Sequence, residues 1–290
     1  IALAVLSSVA CIASAQSNVT LYGRLDAGLG KAFGGQLQMI GNYKETSMWG
    51  VRGQEDLGDG MKASFNFEQG INIEDGALTG GATGAWNRAA WLALGGGFGE
   101  FAMGRMTTAQ NRTMGTFDLN GTANNTSALK NLGLDADGSL GGNRANSQFM
   151  YTSPNLSGFQ ARASMILKED KGAAPAAPAI DTRKSSYQLA ASYKNGPLSL
   201  GAVVQSKLAV GASNRTGFAL GARYDFQSFL VSALYTQDES RNTGKGFGLG
   251  VAVPMGAWVV GAQLARVTDN PNPAREDATA YELFANYSLS

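Results

Sequence analysis

Apolar and polar positions alternate along most of this chain with a period of two, in segments of about ten residues broken by turn residues. Tyr187-Gln-Leu-Ala-Ala-Ser-Tyr193, then Asn-Gly-Pro, then Leu198-Ser-Leu-Gly-Ala-Val-Val204 is one such unit. Thr216 to Tyr224 and Phe229 to Tyr235, joined by a short turn, is another. The pattern predicts strands near 18–30, 42–53, 60–73, 85–95, 99–107, 145–154, 158–168, 184–195, 198–207, 214–226, 229–238, 244–254, 257–268 and 278–290. Each carries an apolar stripe on one face and tolerates Arg, Gln, Ser and Asp on the other. A soluble barrel would turn the stripe inward. Repeated this often in a glycine-rich chain, it predicts an all-β antiparallel barrel turned inside out in lipid.

The connections sort themselves by length. Those at 54–59, 96–98, 153–157, 195–197, 225–228 and 254–257 are short, and those at 31–41, 71–84, 108–144, 169–183, 208–213, 239–243 and 269–277 are longer. Short turns at one end and long loops at the other are expected of a transmembrane barrel, and a β-sandwich has no reason for them. Asp59-Gly60, Asn195-Gly196, Gly95-Gly96-Gly97 and Leu156-Ser157-Gly158 supply residues that accept tight hairpin geometry. Lys171 to Ala179 is low in complexity and reads as an exposed loop. Tyr22, Trp49, Trp86, Trp91, Tyr151, Tyr193, Tyr224, Tyr235, Trp258, Tyr281 and Tyr287 fall at strand ends, where an interfacial girdle would sit. Ordinary β-propensity would enrich them too.

Composition narrows the chemistry. The 290 residues are 44% hydrophobic and 16% charged, with 39 glycines, and no run of about 20 apolar residues offers a membrane-spanning helix. A net charge of +1 provides no bulk attraction for nucleic acid. Histidine is absent, which removes the commonest general base and metal ligand. No catalytic, cofactor or metal motif emerges, and an enzyme is not expected. Gly246-Phe-Gly-Leu-Gly250 is a strand with glycine on one face, with no helix behind it to hold a phosphate. Glu55-Asp56 and Glu169-Asp170 read as solvated charges in connections. Ala13-Ser14-Ala15 before Gln16 has the form of a cleavage site, so residues 1–15, including the single Cys11, read as the remnant of a signal peptide and 16–290 as one barrel domain.

Several segments resemble the general porins of Gram-negative outer membranes, in the β-proteobacterial branch. They are Ser17 to Gly28, Trp49 to Ala63, Asn87 to Leu94 leading into Phe98 to Arg105, and Asn146 to Gly158. The resemblance covers essentially all of 16–290. The resemblance implies a homotrimeric, sixteen-stranded, water-filled diffusion pore in the outer membrane, in contact with lipids and lipopolysaccharide, whose third loop narrows the barrel. About fourteen strands are counted here, and the final segment resembles the family's third from last. The expectation is therefore a piece lacking the start of the signal peptide and the C-terminal hairpin.

Parity along the strands selects candidate pore residues. With Val19, Leu21 and Leu25 toward lipid, Tyr22, Arg24 and Asp26 face the lumen, and by the same rule Arg52, Arg162 and Arg223 do too. Arginine on a lipid face at the midplane would cost about 2–4 kcal/mol, so energetics agree with parity. Arg88 joins them if Ala89, Trp91 and Ala93 form the outer face. Arg105 shares parity with Phe101 and Met103 and needs a bulge, a strand end or a trimer interface. The long loop at about 108–144 is the expected insertion. Of its carboxylates, Asp118 is expected to face the arginines, with Asp135 and Asp137 as weaker candidates. Fixed guanidinium groups would draw in small hydrophilic anions and give a passive channel a modest anion preference. The alternatives are a surface barrel acting as an adhesin or assembly platform and, more distantly, an exported ligand-binding barrel.

Overall fold

The computed structural model describes residues 18–31, 35–80, 84–132, 134, 143–167, 185–206, 217–238, 244–268 and 277–289. The remnant at 1–15, Lys171 to Ala179, Asp135 and Asp137 lie outside the described residues. Among the described residues there are sixteen strands: β1 Asn18–Arg24, β2 Ala27–Gly30, β3 Gln38–Gly41, β4 Met48–Gly58, β5 Met61–Gly70, β6 Ala89–Gly96, β7 Gly99–Thr107, β8 Arg144–Thr152, β9 Phe159–Ile166, β10 Ser186–Asn195, β11 Leu198–Gln205, β12 Gly217–Asp225, β13 Leu230–Asp238, β14 Gly244–Met255, β15 Trp258–Thr268 and β16 Ala278–Tyr287. Fourteen of them form one antiparallel meander in the order β1, then β4 to β16, and β2 and β3 pair as a separate hairpin. The sheet curls back on itself, since Lys44 Nζ, in the loop before β4, donates to Asn286 Oδ1 of β16 at 2.6 Å.

Two boundaries differ from the sequence pattern. The segment 18–30 is not one strand: it breaks at Leu25 and Asp26, and its second half pairs only with β3. The cause is Asp26, whose backbone N–H donates to Ser47 Oγ at 2.8 Å and whose carboxylate accepts from Lys44 N–H at 3.0 Å. Asp26 is thus a corner residue and not part of the lumen row. Strand β4 starts later than expected and runs through Glu55 and Asp56, so that pair lies on a strand and not in the turn. The turn is Asp59-Gly60, with φ of 52° and 74° at the two residues, the left-handed pair a two-residue hairpin demands.

Burial is inverted relative to a soluble protein. Leu220, Leu189, Leu92 and Phe101 are about half exposed or more, whereas Gln69, Gln148, Gln188 and Gln205 are among the largest fully buried side chains. An outer surface of leucine is unfavourable in water and costs nothing in hydrocarbon. Aromatic contacts flank this belt at both ends. Phe101–Tyr151, Tyr224–Phe226–Phe229 and Trp258–Tyr287 lie at the short-turn end, with Trp49–Trp86–Phe67 and Phe218–Tyr235 at the long-loop end. Replacing Leu220, in mid-strand on β12, by arginine is expected to lower folding stability in lipid vesicles by about 2–4 kcal/mol. Equilibrium unfolding in urea would measure it, and an unchanged stability would remove Leu220 from the hydrocarbon.

Candidate pore constriction

The connection after β7 folds into the barrel. Thr108 caps its first helix, α1 Ala109–Met114, by accepting from the Asn111 N–H at 3.2 Å. A 3₁₀ turn follows at Gly115–Phe117, and Ser127 caps α2 Ala128–Asn131 by accepting from the Lys130 N–H at 3.1 Å. α1 packs on the inner faces of β9 to β12, the 3₁₀ turn on β12 and β13, and α2 on β15 and β16.

The wall is shaped to receive it. The Phe117 ring occupies the space where side chains at Gly201 and Gly221 would stand. Leu134 takes the same space at Gly246, Leu129 at Gly248 and Leu119 at Gly250. The glycine face seen at 246–250 is therefore a docking surface for loop leucines. Hydrogen bonds fix the two ends. At α1, Gln110 N–H donates to Gln188 Oε1 at 3.2 Å, Gln188 Nε2 to Gln205 Oε1 at 2.6 Å, and Gln148 Nε2 to the Thr107 carbonyl at 3.2 Å. At α2, Gln263 Nε2 donates to both Asp118 Oδ1 and Glu282 Oε2 at 2.9 Å, and Glu282 also accepts from Ala128 N–H at 3.0 Å. Each such bond contributes about 0.5–1.5 kcal/mol, and leaving one buried partner unsatisfied costs more.

Asp118 does not oppose the arginines. It is 5% exposed and accepts from Asn120 N–H, the Ser127 hydroxyl and Gln263, so its role is to tie the loop to β15. Of the predicted arginines, two touch the loop: Arg162 Nη1 lies 3.4 Å from Thr113 Oγ1, and Arg223 Nη1 lies 3.5 Å from the Thr116 carbonyl. Arg52 faces an open polar recess of about 980 Å³ with Asn66, Trp91 and Glu100. Its guanidinium sits over the Tyr22 ring, 5.0 Å from the centroid. Arg24 and Arg88 are instead neutralised. Arg24 pairs with Glu45 at 2.8 Å at the far end of β1, and Arg88 pairs with Glu68 at 2.5 Å in a largely buried contact.

Arg88 reaches the interior for a different reason from the one expected. Ala89 and Ala93 are buried and Trp91 packs on the inner cluster, while Leu92 and Leu94 are exposed, so the supposed outer face of β6 is its inner face. Arg88 precedes the strand, where the chain has not yet settled into alternation. Tyr22 is also internal, its hydroxyl within hydrogen-bond distance of both Glu68 and Asn66, so neither it nor Trp91 belongs to the outer girdle. Arg105 lies within the register shift between Gly104 and Met106, the bulge its parity required.

Arg112, on α1, was not singled out by the sequence pattern. It donates Nε–H to Thr107 Oγ1 at 2.9 Å, and its field and that of Arg162 reach one another. Burial pushes its guanidinium below the ordinary arginine value, and Glu100 partly opposes this. A helix of six residues is too short for its period to register, so Arg112 read only as a charge in a loop.

An inverted antiparallel barrel with a charged loop narrowing its interior defines the class of outer-membrane pores. Residues 2–290 match the Gram-negative porin family, and the chain belongs to it. It is 32% identical over 272 residues to outer membrane porin protein 32 of Delftia acidovorans, covering 88% of this chain and 75% of that one. An outer membrane porin protein of Bordetella pertussis is 28% identical, with 88% and 73% covered. The solved anion-selective porin from Comamonas acidovorans is 28% identical, with a TM-score of 0.76 and 95% and 85% covered. The Salmonella typhi porin OmpF, 14% identical with a TM-score of 0.67 and 94% and 86% covered, shares the fold. The protein is thus an outer-membrane passive diffusion channel and not an enzyme.

Phe117→Ala would empty the space over Gly201 and Gly221, at a cost of about 3–5 kcal/mol for a buried ring. Its single-channel conductance is expected to rise and become noisier. An unchanged, quiet trace would mean that the loop is held elsewhere.

Proposed function

We propose that the channel prefers small hydrophilic anions, and that Arg52, Arg112, Arg162 and Arg223 set that preference. The observation that carries this reading is a difference in pairing. Arg24 and Arg88 have carboxylates within ion-pair distance, whereas these four have none within 4.0 Å among the described residues. Glu100 is the acidic group whose field reaches Arg112. Uncompensated cations in a narrowed, water-filled lumen raise the local concentration of anions and lower that of cations. The anion selectivity named for the Comamonas acidovorans porin supports the same sign.

In this reading the barrel works as a homotrimer surrounded by lipid and lipopolysaccharide. An apolar groove of about 400 Å³ on the outer face, between Phe65, Phe67, Leu92, Met103 and Phe149, supports a contact between copies there. The leucine belt supports contact with acyl chains elsewhere.

The test is the reversal potential of the channel in planar bilayers under a salt gradient. A unit charge about 7 Å from the path in water is worth about 0.6 kcal/mol, which is twofold to threefold in the local concentration of either ion. The double variant Arg112→Gln, Arg162→Gln is expected to lower the anion-to-cation permeability ratio by at least about fourfold, as two such factors multiplied. A reversal potential equal to that of the native channel would sink the reading.

A further inference from the structure

We propose that the lumen wall at Arg52, Asn66 and Trp91 is a binding subsite for a small monocarboxylate bearing a flat apolar ring. The proposal rests on the anion-preferring channel described above and names a class of solute for it. The three residues stand side by side across the sheet, Arg52 opposite Asn66 on β5 and Asn66 opposite Trp91 on β6. All three line the same recess of about 980 Å³.

Among the described residues, several of their donors have no acceptor. The Arg52 guanidinium makes its one described contact over the Tyr22 ring, and none of its N–H groups has a hydrogen-bond acceptor among the described residues. Asn66 accepts the Tyr22 hydroxyl at 2.8 Å through Oδ1, so its Nδ2 group remains. The Trp91 indole N–H has no partner among the described residues. The outcome is a row of donors on one wall, fork-shaped at one end, which matches the planar two-oxygen geometry of a carboxylate.

The aromatic part follows from Trp91 itself. Its opposite number on β7 is Gly104, so no side chain from that strand lies across the ring from the cross-strand position. A solute ring can therefore stack on the indole while its carboxylate meets Asn66 and Arg52. Glu100 and Asp56 border the same recess and repel multiply charged anions, which favours a single carboxylate over phosphate or a tricarboxylate. No bond is made or broken; the subsite slows and enriches a passing solute.

Benzoate, acetate and benzamide are the probes, added separately to the full-length channel conducting potassium chloride in planar bilayers. Benzoate is expected to depress the open-channel current at a concentration several-fold lower than acetate, and benzamide, uncharged, to have no effect. Trp91→Ala should abolish the difference between benzoate and acetate, Trp91→Phe should retain most of it, and Arg52→Gln should weaken block by both. Equal block by benzoate and acetate in the native channel would overturn the proposal, as would a difference that survives Trp91→Ala. Should Trp91→Ala fail to insert, Arg52→Gln decides alone: benzoate block at native strength in that variant overturns the subsite. The reversal potential in the same bilayers separates the two ideas. Its loss of anion preference in the native channel overturns the function proposed above, whereas anion preference without benzoate discrimination overturns only the subsite.

Discussion

A backbone in hydrocarbon has no water to bond with, and the rest of this structure follows from that. Every N–H and C=O crossing the bilayer must be paired within the protein, and a curled antiparallel sheet does this while leaving side chains to alternate. From β4 to β15 each strand of the main sheet has a hydrogen-bonded neighbour on both sides. Alternation then separates two solvents. Leucine and phenylalanine are exposed toward lipid, and glutamine, serine and arginine point into the barrel. Where the alternation has to fail, the chain uses a local device: the bulge after Gly104 and the corner at Asp26.

The interior depends on a second match, between wall and loop. The inner positions of β11, β12 and β14 that carry glycine receive Phe117, Leu119, Leu129 and Leu134. Shape holds the apolar side chains, and the amide and carboxyl groups of Gln188, Gln263 and Glu282 hold the backbone ends. With the loop fixed, so are the charges on it. Arg112 stands near Arg162 because α1 can lie in one orientation only when Gln110 meets Gln188 and Phe117 meets Gly221.

Much of this was legible in the alternation. The alternation marks β7 at its observed bounds, and parity alone puts Arg52 on the face of the recess and Arg162 and Arg223 on the face that meets the loop. Parity fails where the chain is not yet, or no longer, a strand. Arg88 and Asp26 sit at such places, and the inner and outer faces of β6 were exchanged because alanine, small on either side, carries no sign of which solvent it meets. The loop was recognisable by its length, but its internal order was not. Asp118 reads as a pore charge in sequence because nothing near it reveals Gln263 and Glu282, which are about 150 residues away in the chain. The glycines at 246, 248 and 250 were visible as a pattern, and their purpose needed the leucines opposite.

The loop leans on one side of the barrel. Its helices cover the inner faces of β9 to β12, β15 and β16, whereas the recess lined by Arg52 and Trp91 lies along β1 and β4 to β7. Among the described residues, the open space is therefore set against one wall instead of being centred. A solute in that space has the donors of β4 to β6 on one flank and the loop on the other, so its two faces meet different surroundings.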